Sequence, residues 1–396
     1  MTENVTRRRF LKQSSLTALP ALLPAFSGSQ LAEAQSAAMS EAQRVYFIND
    51  GPFYRPGEFI EKLDLINKST TIGRDSFADG GTVKALTTKF SEITGKDAAV
   101  YVTSGTLANQ LALSELSGRN SKVIVQEMSH VYRDEADAAQ TVFNRRLIPL
   151  AQGTHFFTHR ELQEAIKYHH DSEAFETGIG AISIETPVRR ADNRLFPIEE
   201  IRKISEFSRK NGYRLHLDGA RLHIASAYTG ISVKEFAAYF DTVYMCLYKY
   251  LGATGGAVLC GEKLLIDRIP PLVKVHGGSI FTNWPNAAMA LHHLEGIDSR
   301  LQLAVNKSNE LFSMLKQIPE IEITMFADGT NTRHLKVSSR LDLKKFKDFL
   351  RENFINTGVP QEDGFIRMKV NETLLHQENT TILHAFQNAA RVSRLS

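Results

Sequence analysis

The sequence has little of what would make it a cross-linked, membrane-spanning or polyanion-binding chain. Two cysteines in 396 residues cannot build a disulfide scaffold. Basic residues outnumber acidic ones only 47 to 44, which leaves no broad cationic footprint for a nucleic acid. No stretch reaches the roughly 20 consecutive apolar residues that a membrane helix needs. There are no internal repeats and no low-complexity tracts. What is present is ordinary. Hydrophobic residues make up 42% and charged residues 23%, enough to close one large core and a smaller one.

The small basic surplus is unevenly spread. Residues 1–34 hold Arg7, Arg8, Arg9 and Lys12 against Glu3 and Glu33, so the rest of the chain carries 43 basic and 42 acidic groups. Thr6-Arg7-Arg8-Arg9-Phe10-Leu11-Lys12 precedes a weakly apolar stretch, residues 16–26, broken by Pro20 and Pro24. Ala32-Glu33-Ala34 then offers a small-x-small cleavage site. The segment resembles a twin-arginine signal peptide; the alternative is a basic tail with adjacent arginines. The resemblance implies export in the folded state to the periplasm, as a soluble protein without a stable membrane anchor.

The rest of the chain alternates short apolar runs with amphipathic stretches. Residues 98–102, 122–126, 146–150, 181–184, 214–218, 242–246 and 256–260 read as strands. Val83, Leu86, Phe90 and Ile93 fall at helical spacing, Thr158-His159-Arg160-Glu161 is a capping box, and Ile198, Ile201, Ile204 and Phe207 line another helix. This alternation predicts an α/β fold with a mostly parallel sheet, whose chemistry lies at the carboxyl ends of the strands. The pattern changes near residue 300. A long helix over 301–317, strands near 321–325, 334–337 and 365–370, and helices near 342–353 and 380–391 predict a smaller α+β domain. The expected division is a signal (1–34), an N-terminal segment (35–74), a large domain (75–300) and a small C-terminal domain (301–396). Cys246 and Cys260 fall inside predicted core strands, as buried hydrophobes or, in an oxidising compartment, as a pair.

Three motifs sit at strand ends. Thr103-Ser104-Gly105-Thr106-Leu107-Ala108-Asn109 joins a strand to a helix; small residues there let a phosphate approach the helix N-terminus. Leu215-His216-Leu217-Asp218-Gly219-Ala220-Arg221 ends a strand on a carboxylate, which is costly to bury unpaired. A structural ion pair between Asp218 and Arg221 is the simpler alternative. Met245-Cys246-Leu247-Tyr248-Lys249-Tyr250-Leu251-Gly252 places a lysine just beyond an apolar strand, where desolvation favours a Schiff-base nucleophile. A phosphate cradle, a buried Asp and a strand-end Lys are together the parts that pyridoxal 5'-phosphate requires.

These motifs resemble those of the fold-type I pyridoxal-phosphate enzymes of the β-eliminating lyase and threonine aldolase group, from about residue 75 to 261 and more thinly to 370. The resemblance implies a seven-stranded, mostly parallel sheet flanked by helices. It implies that Ser104, Gly105 and Thr106 hold the cofactor phosphate, that His130 stacks on the ring near the substrate hydroxyl, and that Thr186 lies near the ring oxygen. Asp218 then pairs with the ring nitrogen, Arg221 lies beside the cofactor, and Lys249 is the Schiff-base lysine. Arg367 matches the arginine that grips the substrate carboxylate. Lys249, His130 and Asp218 are the expected catalytic residues.

Two stretches depart from the family pattern. Ile48-Asn49-Asp50-Gly51-Pro52-Phe53 stands where the aldolases have Ser-Asp-Thr, so Asn49 becomes the candidate substrate contact. Phe77-Ala78-Asp79-Gly80-Gly81-Thr82 replaces Tyr-Gly-Glu-Asp-Pro-Thr. The leading expectation is cleavage of L-β-hydroxy-α-amino acids, threonine to glycine and acetaldehyde. The alternatives are β-elimination or transamination on another amino acid, and a periplasmic binder of amino acids or cofactor without turnover. The resemblance also implies a homodimer or homotetramer. No metal is expected, since His169-His170 and His292-His293 lack partners at ligand spacing.

Overall fold

A computed structural model describes residues 44–395. The export signal expected over residues 1–34 lies outside the described residues, as does the start of the segment at 35–74. From Arg44 onward the chain forms one compact unit.

A short opening strand, β1 (Val45–Tyr46), precedes the strands of the central sheet: β2 (Ala98–Val102), β3 (Lys122–Gln126), β4 (Arg146–Leu150), β5 (Ile179–Glu185), β6 (Arg214–Asp218), β7 (Thr242–Cys246) and β8 (Ala257–Gly261). Their spatial order is β2-β8-β7-β6-β5-β3-β4. Only β8 runs against the rest, pairing antiparallel with both β2 and β7. Strands β3, β5, β7 and β8 are buried at every residue, as expected of a parallel sheet covered on both faces. That double burial is why they read in the sequence as continuous apolar runs. Helix α1 (Gly81–Thr94) lays Val83, Leu86 and Phe90 into the core, and the capping box at Thr158 starts the helix His159–Asp171 as predicted.

Helix α2 (Gly105–Ser117) follows β2 and packs on the middle of the sheet. Helix α3 (Ile297–Leu315) is the long helix expected over 301–317, beginning four residues earlier. Its Leu301 and Val305 belong to the core of the large sheet, whereas Ala304, Leu311, Phe312 and Leu315 belong to a second apolar cluster. That second cluster lies on an antiparallel sheet of β9 (Ile321–Thr324), β10 (Thr332–Val337) and, after the short β11 (Ile355–Asn356), β12 (Ile366–Lys369), in the order β12-β10-β9. Strand β1 pairs in parallel with β11, and Val45 and Phe47 join the same cluster. Two residues give no periodicity, so nothing in the sequence pattern announces this pairing of the chain's beginning with its end.

Cys246 and Cys260 are free, buried thiols. In the β7–β8 register Cys246 lies opposite Ala257 and Cys260 opposite Val243. Three residues along a strand is about 10 Å, too far for a disulfide. Burial pushes the Cys260 thiol up to about 12. Among the described residues no helix is long and apolar enough to cross a membrane.

Candidate active site

The carboxyl ends of the central strands converge on one recess. Gly105, Thr106, His130, Asp218, Arg221 and Lys249 line it, each from a motif singled out in the sequence. Asn109, Glu185, Tyr244 and Tyr248 complete its wall.

The cradle is built at the start of α2. Ser104 is its N-cap, with extended backbone and Oγ accepting from the Leu107 N–H at 3.2 Å. The first-turn N–H groups behind it have no acceptor within the helix, which suits an anion. Gly105 is required by close approach: a Cβ there would lie 2.1 Å from the Tyr244 hydroxyl. The absence of a side chain lets the helix start press against β7.

Asp218 ends β6 and is buried. Its Oδ2 accepts from Asn109 Nδ2 at 3.0 Å and its Oδ1 from the Ala220 N–H at 3.2 Å. The ion pair with Arg221 that the sequence allowed is not formed. Arg221 donates instead to Asp50 at 2.8 Å, and Lys369 Nζ lies 3.3 Å from the other oxygen of Asp50. Burial alone would raise the Asp50 carboxyl, but Arg221 and Lys369 outweigh it and hold it well below the usual carboxylate range. The Arg221 Nε is a buried donor with no partner in the protein.

Lys249 follows β7 with its Nζ 5.3 Å from the centre of the Tyr248 ring. Its backbone is fixed from the other side by Gly51: a Cβ there would stand 2.4 Å from the Lys249 carbonyl oxygen. His130 donates from Nδ1 to Glu135 at 3.0 Å, and its backbone N–H donates to Glu185 at 2.7 Å. The hydrogen bond to Glu135 outweighs burial and raises the His130 imidazole above its ordinary value. Glu185 is pushed up to about 7 by burial, reinforced by the charge of Asp218.

Three expected residues stand apart. Thr186 is fully buried at the end of β5, but its hydroxyl accepts from the Phe196 N–H at 3.0 Å and fixes the following loop. Asn49 is half-buried, with its carbonyl taken by Asn371 Nδ2 at 2.9 Å; its neighbour Asp50 is the one that reaches the site. Arg367, on β12, donates to Asp363 at 2.5 Å from each terminal nitrogen and to Asp192 at 3.2 Å. The structure thus brings Gly105, Thr106, His130, Asp218, Arg221 and Lys249 together in the recess, places Ser104 beside it as the N-cap of α2, and leaves the other three out of its lining. Asp50, Glu135 and Glu185 are functional-site residues that the sequence reading gave no role. Each lies one to five residues from a position it did single out.

Residues 66–339 match the β-eliminating lyase family. A low-specificity L-threonine aldolase of Candida albicans is 36% identical over 245 residues, covering 61% of this chain and 65% of that protein. The match therefore spans slightly less than two thirds of that relative. Low-specificity L-threonine aldolase 1 of Arabidopsis thaliana is 27% identical over 311 residues, covering 78% of this chain and 87% of that protein. Among solved structures, the threonine aldolase of Leishmania major superposes with a TM-score of 0.66 at 17% identity, covering 88% of this chain and 99% of that one, a likeness of fold.

Proposed function

The chain belongs to the β-eliminating lyase family, and on that premise we propose that it is a pyridoxal-phosphate-dependent aldehyde-lyase that splits the Cα–Cβ bond of L-β-hydroxy-α-amino acids, threonine to glycine and acetaldehyde first among them. The observation that carries this reading is the meeting of Lys249, Asp218 and His130 in one recess at the N-terminus of α2. The orphaned Arg221 Nε supports it, because a buried donor of this kind calls for an acceptor from a bound group.

Bound there, pyridoxal phosphate supplies an aldehyde that condenses with amines and a ring that draws electrons from the substrate's Cα. Ser104, Gly105 and Thr106 would hold its phosphate, Asp218 its ring nitrogen, and Arg221 an oxygen of the ring. Lys249 offers the amine that the substrate replaces. His130 has its Nδ1–H committed to Glu135, which leaves Nε2 to take the proton of the substrate's β-hydroxyl as the Cα–Cβ bond breaks. The aldehyde departs, the electron pair of the broken bond stays with the glycine carbon, and a proton equivalent to the one held by His130 is delivered to that carbon, so that glycine is the second product. Incubation of the cofactor-loaded protein with L-threonine, L-allo-threonine and phenylserine, with analysis of products, tests the reading.

Arg367 remains the proposed grip for the substrate carboxylate, on one condition. Its two terminal nitrogens are occupied by Asp363, a half-exposed partner on the same stretch of chain. Water screens this pair on the Asp363 side, so a substrate carboxylate can take the place of Asp363. Arg367→Met is expected to raise KM for threonine at least about tenfold with little change in kcat, the loss of one charge-assisted bidentate contact. Asp363→Asn is expected to lower KM. An unchanged KM in Arg367→Met contradicts the assignment.

The site also has an apolar neighbour. Phe77 and Phe281 pack edge to face at 5.3 Å and are both exposed. They lie by the turn at Gly278, whose backbone abuts Thr103 and Leu107 of the cradle. We propose that a second copy of this chain covers them. Light scattering on the purified protein is expected to give a dimer or tetramer; a monomer at micromolar concentration contradicts it. Export of the folded, cofactor-loaded protein to the periplasm is a separate proposal, resting on the arginine-rich start of the sequence and tested by cell fractionation.

A further inference from the structure

Behind the recess lies a polar network to which no role has yet been attached. Its centre is Asn109, fully buried in the second turn of α2. The Asn109 Nδ2 donates one hydrogen to Asp218 Oδ2 at 3.0 Å and the other to Glu135 Oε1 at 2.9 Å. Its Oδ1 lies 3.0 Å from His216 Nε2. The chemistry of the partners fixes the amide's orientation: the opposite flip would set Oδ1 between two carboxylates, both acceptors. His216 must then carry its proton on Nε2, and its Nδ1 accepts from the Thr242 hydroxyl at 2.8 Å. Burial depresses the His216 imidazole to about 4, so it stays neutral and serves as a fixed donor.

Glu135 is equally committed. It is 4% exposed and accepts from Asn109, from Gln110 Nε2 at 3.3 Å and from His130 Nδ1 at 3.0 Å. One neutral amide thus spans the two carboxylates that serve opposite sides of the recess. Asp218 serves the ring nitrogen and Glu135 serves His130. We propose that Asn109 is a positioning residue whose amide holds the Asp218 and Glu135 carboxylates in one hydrogen-bonded device, so that the ring-nitrogen partner and the substrate base His130 are linked through it. The inference rests on the function proposed above, because the roles of Asp218 and His130 come from it.

The sign of the coupling follows from the charges that face His130. Glu135 and Asp134 lie on its own segment, Glu185 faces it from the end of β5, and Asp218 from the end of β6. These four acidic groups together favour the imidazolium, and Arg221 and Lys249, which line the same recess, oppose it without reversing the direction. Without the amide, Glu135 loses one of the donors that offset its burial, and its carboxyl, already raised by that burial, would take up a proton more readily. Less negative charge would then face His130, and its proton would be held less tightly.

The experiment uses the full-length chain with ¹⁵N-labelled histidine, with and without pyridoxal phosphate, and the variant Asn109→Leu, which matches asparagine in size and leaves no room for a substitute water. In the cofactor-free wild type, His130 is expected to titrate above the ordinary histidine value and His216 to hold its Nε2–H. In Asn109→Leu the His130 midpoint is expected to fall by about one pH unit. In the loaded enzyme the acidic limb of kcat/KM is expected to fall with it. A variant that loses activity while the His130 titration stays at the wild-type midpoint makes Asn109 a packing residue only and overturns the proposal. If Asn109→Leu does not fold, Glu135→Gln replaces it. That change is expected to lower the His130 midpoint and also to shift the pH dependence of the bound cofactor's absorbance, which reports the Asp218 side. A shift at His130 alone would show the two carboxylates to be independent and overturn the coupling. The histidine titration of cofactor-free protein does not depend on which reaction is catalysed. A failure of pyridoxal phosphate to bind counts instead against the proposed function.

Discussion

Replacing Lys249 by alanine is expected to abolish turnover, with kcat reduced at least about a thousandfold, since no other amine in the recess is placed to form the covalent link. Borohydride, which fixes the cofactor to the chain in the wild type, is expected to leave the variant unlabelled. The fold should survive. Lys249 is half-buried, its contact with Gly51 is made by its backbone, and its side chain gives up a cation–π contact with the exposed Tyr248 and a charge attraction to Asp50, which keeps Arg221 and Lys369 as partners. Cation–π contacts are worth about 0.5–1 kcal/mol at exposed sites. The cofactor should still enter non-covalently, because the helix N-terminus and Asp218 are untouched. Wild-type turnover in Lys249→Ala would remove this lysine from the mechanism.

Replacing Asp218 by asparagine is expected to lower kcat by about 10³-fold, or roughly 4 kcal/mol at 1.36 kcal/mol per factor of ten. The change keeps the shape of the side chain and removes its charge, so on the proposed function the cofactor's ring nitrogen would no longer be held protonated and the ring would draw electrons less strongly. Stability should fall only modestly. An amide of equal volume relieves repulsion from Glu185 and Glu135, but its NH2 must face either Asn109 Nδ2 or the Ala220 N–H and leaves one donor unpaired, a cost of about 1–3 kcal/mol. A second readout follows from that relief. The Asp218 charge is one of the causes that push Glu185 up to about 7, so in Asp218→Asn the Glu185 carboxyl should move back toward its ordinary value. Loss of activity accompanied by a large loss of thermal stability would mean that Asp218 acts as a structural residue.

Much of the fold is legible in the sequence because parallel strands buried on both faces leave continuous apolar runs. The runs at 98–102, 122–126 and 242–246 coincide with β2, β3 and β7. Strand order is not legible. Nothing in residues 98–102 tells that β2 lies at the sheet edge beside β8, six strands later in the chain. The site is legible to the same depth. Gly105, Asp218 and Lys249 each belong to a short motif that ends a strand, and a parallel sheet gathers strand ends automatically. The groups that tune them are not legible, because their partners come from distant parts of the chain. Arg221 finds Asp50 across 171 residues, and Asn109 finds Asp218 across 109. Arg367 shows the converse. The family match at Arg367 is legible, and so is Asp363 four residues before it, yet its guanidinium is also held by Asp192 from 175 residues away.

The most direct test of the central claim is to give the purified, cofactor-loaded protein L-threonine and to measure acetaldehyde, glycine, ammonia and 2-oxobutyrate together, with Lys249→Ala as the control. The account predicts acetaldehyde and glycine in equal amounts, no release of ammonia, and no product from the variant. Ammonia and 2-oxobutyrate in equal amounts, with no glycine, would mean that the β-hydroxyl leaves instead of surrendering its proton to His130, and would contradict it.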